Sequence, residues 1–123
     1  MAGTIVANTI NTDTGVFQTN NAYLGMAKAW VNFVGQTGVI NTSFNISSIT
    51  RNGTGDYTAN FTTAMPNANY VVAGSAVGSA NTAYYGNIMS QGVANTTTTC
   101  RFGFQYSGTL YDQNPVGVVF FSS

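Results

Sequence analysis

The chain has 123 residues, the size of one domain, of which 44% are hydrophobic and only 5% charged. Three basic and three acidic residues cancel, which excludes the basic patch that a nucleic-acid partner needs and electrostatic attachment to an anionic membrane. Disorder is excluded as well, because Val, Ile, Phe and Tyr run through the whole chain.

The surface must therefore be built from Asn, Thr, Ser, Gln and Gly. Proteins that stay monomeric keep their net charge away from zero, so a neutral surface suits a chain that ends in a permanent assembly. No apolar run reaches the roughly 18 residues of a membrane-spanning helix, and no membrane insertion is expected. The opening "MAGTIVANTINTDTG" has neither the charged nor the apolar region of a signal peptide, so none is expected.

Residues 1–25 are rich in Asn and Thr, with scattered apolar positions at Val6, Ile10, Val16 and Tyr23. These are too few to close a core. Two readings suit the segment: an irregular first strand of the same domain, or an extended arm that docks on another chain. The composition favours the arm, leaving residues 26–123 as the folded domain.

"AKAWVNFVG" alternates, with Ala27, Ala29, Val31 and Phe33 on one face and Lys28, Trp30 and Asn32 on the other. "VINTSFNISSI" places Ile40, Thr42, Phe44 and Ile46 together, and "DYTANFT" does the same for Tyr57, Ala59 and Phe61. Between them, "RNGTG" contains Asn52-Gly53, a strong hairpin signal that predicts a type I′ turn. "MPNAN" reads as a turn at Pro66. "ANYVVAG" and "GVVFFS" are denser apolar runs, expected of strands covered on both sides. "CRFGFQY" stacks Cys100, Phe102, Phe104 and Tyr106 inward, with Arg101 and Gln105 outward. "YSGT" and "DQNPVG" are further breaks, and no stretch holds a helical stripe. The pattern predicts about eight or nine strands in an all-β fold, an antiparallel β-sandwich or flattened barrel with an extended N-terminal arm.

Little in this chain reads as catalytic. There is no His and no Glu, and the three Asp are far apart in sequence, two of them in turn contexts where Asp caps its own backbone. No catalytic residue, metal site or cofactor is expected. Cys100 reads as a small core residue. The Asn-X-Ser/Thr sequons at Asn41, Asn45, Asn52, Asn60 and Asn95 are read as unmodified. Aromatics are the remaining resource. Phe33, Phe44, Phe61, Phe102 and Phe104 fall on inward faces. Tyr84, Tyr85 and Tyr111 lie beside predicted loops, flanked by Asn, Gln and Asp, the usual setting in which a sugar stacks on a ring. They are the candidate ligand-binding residues.

"AKAWVNF", followed by "SFNISSITRNGTGDYTANFTTAMPNANYVV", resembles a domain common in structural proteins of tailed bacteriophages, especially those of marine bacteria and cyanobacteria. The likeness covers about residues 26–73, while 74–123 keep only the general look of strands and loops. The resemblance implies a virion appendage, such as a tail-fibre or receptor-binding tip, commonly a homotrimer. It implies that the second half holds loops meeting a host surface polysaccharide and that the N-terminal arm meets other virion proteins. It carries over no catalytic residue. The short leader fits a small tip or knob better than a long fibre. A purely structural role, in capsid decoration or tail connection, is the alternative. In this setting Lys28 and Trp30 belong to the shared scaffold, and with Val6 and Ile10 they are the candidate oligomer interface.

Overall fold

The computed structural model describes residues 3–12, 15–78 and 87–123. Among them are eleven strands and one short helix. Two antiparallel sheets face each other across one core, so the all-β class read from the alternation holds. One sheet has the order β4 (Ile40–Phe44), β3 (Ala27–Phe33), β11 (Val116–Phe121), β7 (Val71–Ala76). The other runs β10 (Thr109–Leu110), β9 (Thr99–Tyr106), β6 (Asp56–Phe61), β5 (Ile46–Gly53), with β8 (Asn87–Ser90) also paired to β9.

The core is filled by the inward residues of both sheets. Ala29, Val31 and Phe33 come from β3, and Val116, Val118 and Phe120 from β11. Tyr57, Ala59 and Phe61 on β6 face Cys100, Phe102 and Phe104 on β9. The rings meet edge to face: Phe33 against Tyr57 at 5.0 Å, and Phe61 against Phe120 at 5.1 Å. Such pairs add about 1 kcal/mol each beyond the burial of their area.

Five expectations are corrected. First, "SFNISSI" is not one strand. Asn45 takes a positive φ of 57° between β4 and β5, which belong to different sheets. Its amide donates to the carbonyls of Lys28 and Thr63, both at 3.1 Å, and its Oδ1 accepts the Thr63 N–H at 2.7 Å. The switch puts Phe44 outside, 54% exposed, while Ile46 is buried. Second, Val71–Ala76 is the last strand of its sheet among the described residues, and Val71 is 64% exposed. Its apolar run marks an edge, not a strand covered on both sides. Third, Tyr106 is exposed, because it lies where β9 turns into β10.

Fourth, the β5–β6 turn is Thr54-Gly55, not Asn52-Gly53. Gly53 pairs with Asp56, and Gly55 carries the positive φ of 67°. Asn52 is held instead by side-chain bonds to Thr58 and Asp56. The turn with two positive φ values, as type I′ requires, is Ser107-Gly108 between β9 and β10. Fifth, the N-terminal segment is not a bare extended arm. It forms a hairpin of β1 (Thr9–Thr12) with β2 (Gly15–Gln18), then a helix, α1 (Thr19–Gly25). Thr19 ties the two, its N–H bonding to the Asn8 carbonyl and its hydroxyl to that of Ala7.

Candidate functional site

Four of the six charged residues form two ion pairs. Arg51 at the end of β5 donates to both oxygens of Asp112, and Arg101 on β9 donates to both oxygens of Asp56 at 3.0 and 2.6 Å. Asp112 also accepts the Gly55 N–H at 2.9 Å and the Tyr57 hydroxyl at 3.0 Å. Burial pushes the Tyr57 hydroxyl well above the usual phenol range, and the bond to Asp112 adds to it. Both carboxylates therefore serve to fasten the β5–β6 tip. Lys28 is occupied too, its ammonium lying 3.4 Å from the Tyr23 ring centre and donating to the Tyr23 carbonyl. Asp13 lies outside the described residues.

Most of the exposed large apolar residues fall on two surfaces. One is the N-terminal module of β1, β2 and α1, in which no described side chain is buried. Val6 is 93% exposed and Ile10 48%, and Ile5, Val16, Tyr23, Leu24 and Met26 are exposed with them. The second is the outer face of the four-stranded sheet. Register brings Phe44, Trp30, Val119 and Ala73 into one row across all four strands. Trp30 is 39% exposed, and beside it a shallow trough runs over Ala73, Ser75 and Gly117, where side chains are small. The predicted outward position of Trp30 holds. Phe44, which sequence reasoning placed in the core, belongs to this face. The signal that would have found it is Asn45, a residue that tolerates the left-handed turn ending β4.

Lys28 and Trp30 thus share the outer face of β3, while Val6 and Ile10 lie on the separate N-terminal module. Tyr84 and Tyr85 lie outside the described residues. Tyr111 is 38% exposed, with its backbone N–H on the Phe104 carbonyl at 3.1 Å. It sits against the β5–β6 turn, where a Cβ on Gly55 would come within 2.6 Å of its amide nitrogen.

Sequence reasoning did not anticipate a partly open cavity of about 240 Å³ between β7 and the β8–β9 pair. Val72, Ile88, Val93 and Phe102 line it, with Ser90 and Asn95 supplying polar atoms. Cys100 is on its wall, donating to Asn95 Oδ1 at 3.4 Å. Burial raises the thiol to about 11, so it is protonated at neutral pH and a poor nucleophile. No known protein family, curated protein or solved structure matches the chain.

Proposed function

We propose that the protein is a non-enzymatic structural component of a tailed-phage virion, a short fibre or tip built by self-association and attached through its N-terminal module. The observation that carries this reading is the module itself. It displays seven exposed apolar residues and buries none of its described side chains, the condition of a segment made to pack on another chain. The neutral surface supports the same reading, because hydrogen-bonding Asn and Thr are insensitive to ionic screening. The resemblance of residues 26–73 to phage structural domains supplies the setting and the expectation of a trimer. Half-exposed Tyr111 is the described candidate for stacking on a host surface glycan.

Antibody-gold labelling of purified virions tests the proposal. Gold at the distal tail supports the tip. Gold over the head lattice replaces it with capsid decoration, which would use the same two surfaces. Particles that carry no gold sink the virion reading. Labelled protein that fails to stain cells the phage infects removes the glycan-binding part.

A further inference from the structure

We infer that the outer face of the four-stranded sheet is the docking surface for the N-terminal module of a second copy of this chain. The inference rests on the self-association part of the function proposed above and does not depend on the virion.

The argument starts from the module's stability. Its hairpin has four residues per strand and its helix seven. A two-stranded hairpin alone in water is marginal, and an isolated helix needs about 12–15 residues to hold. Such a module persists only when its apolar side chains pack on something. Its own domain does not supply that support, since Ile5, Val6, Leu24 and Met26 are all exposed.

The sheet face has the matching chemistry. Phe44, Trp30, Val119 and Ala73 make an apolar row across its strands, and Val71 extends the exposed apolar surface. A trough beside Trp30 leaves room for inserted side chains. Charge is compatible: Asp13 is the one charged residue in the sequence of the module, and the one charge on the outer side of β3, Lys28, is occupied by Tyr23 of its own chain. A highly charged partner would leave its charges uncompensated against this face.

Position agrees as well. The module enters β3 at Ala27, which pairs with Phe121, which in turn pairs with Val71. Val71 therefore lies at the end of the sheet where the module joins β3, and the row crosses that strand three residues further along, at Trp30, so one subunit carries donor and acceptor on neighbouring stretches of β3. The resulting contact is head-to-tail: a module meets a face, not its own like.

Complementation tests it, with masses read by light scattering. The full chain should run at twice 12.9 kDa or more. Val6→Asp with Ile10→Asp spoils only the module, and Trp30→Ser with Phe44→Ser spoils only the face. Each variant alone should be monomeric. Their equimolar mixture should form a two-chain complex, because one intact module then meets one intact face. A monomeric full chain overturns the inference and indicates that the module folds back on its own sheet. Association of the module variant by itself overturns it in favour of face-to-face pairing, and a mixture that stays monomeric overturns it too. A face variant without a cooperative thermal transition is replaced by Phe44→Ser alone, a substitution at an exposed position. The gold labelling above fails or succeeds independently of these masses.

Discussion

The guanidinium of Arg51 grips the carboxylate of Asp112, 61 positions further along the chain, through both Nε and Nη2. The same carboxylate holds the Gly55 amide and the Tyr57 hydroxyl. One side chain thus joins a strand end, a turn and a core ring to the segment that leads into β11. Neither partner announces this by local pattern, since each lies near a turn where an ordinary solvated charge would serve.

Acid sensitivity follows from the two carboxylates. Burial pushes Asp112 upward, but the bonds from Arg51, Gly55 and Tyr57 outweigh it, and its pKa is lowered. For Asp56 the Arg101 bond leads, against burial, and the pKa is again lowered. A lowered folded-state pKa gives stability that is present above the unfolded value of about 4 and is lost as pH falls through the folded value. Denaturation midpoints should therefore hold level from neutral pH to about pH 5 and fall below about pH 4. Asp112→Asn should lower stability by about 2 kcal/mol at neutral pH and flatten the acid limb. An unchanged acid limb in the variant would assign the loss to other groups.

Gly55→Val should destabilise the fold by more than about 2 kcal/mol, from the left-handed backbone and from the clash of a new Cβ with Tyr111. Gly53→Val should cost far less, since no atom lies within 4 Å of the position its Cβ would take. Thermal melts of the two variants check the order. Equal losses would return the turn to Asn52-Gly53.

That pair of glycines also explains how much of the fold was legible. The turn lies two residues beyond the strongest dipeptide signal, yet a slip of two leaves the facing of every strand residue unchanged, because side chains alternate with period two. Tyr57, Ala59 and Phe61 therefore face inward as their alternation predicts, although the turn falls at Thr54-Gly55. Phe44 failed differently. Alternation continues through Asn45 in the sequence, while the backbone changes sheets there. The candidate interface was legible in part. Trp30 reads as outward from its own strand, but the row it shares with Phe44, Val119 and Ala73 is set by pairing between distant strands, which period alone does not encode. The N-terminal helix escaped for a related reason: seven residues without a buried stripe carry no helical period.

Asn45 offers a test with an inverted sign. Inside a strand, Gly is less stable than Ala by about 0.5–1 kcal/mol. At a left-handed position the order reverses by about 1 kcal/mol or more. Asn45→Gly loses three side-chain bonds but keeps the backbone at ease, whereas Asn45→Ala loses both. Chemical denaturation should rank wild type above Asn45→Gly, and Asn45→Gly above Asn45→Ala. Ala above Gly would mean that the chain passes from β4 to β5 without the left-handed step.

Cys100 provides a probe of the cavity wall. It is 2% exposed, and burial lifts its thiol from an ordinary value of 9.0 to about 11, against a smaller downward pull from Tyr70. Only the thiolate reacts, so at pH 8 about one thiol in a thousand is competent at any moment. Labelling of the native protein by a small alkylating reagent should be slow. If the reagent enters through the cavity, its rate should climb about tenfold per pH unit from 8 to 10 without levelling. An ordinary thiol would level off near pH 9, and unfolded protein should show that profile. A native rate that follows the unfolded profile would mean that Cys100 is solvated rather than packed beside Phe102. A native rate independent of pH would mean that opening of the β7–β8 flank, not the thiol's ionisation, limits the reaction.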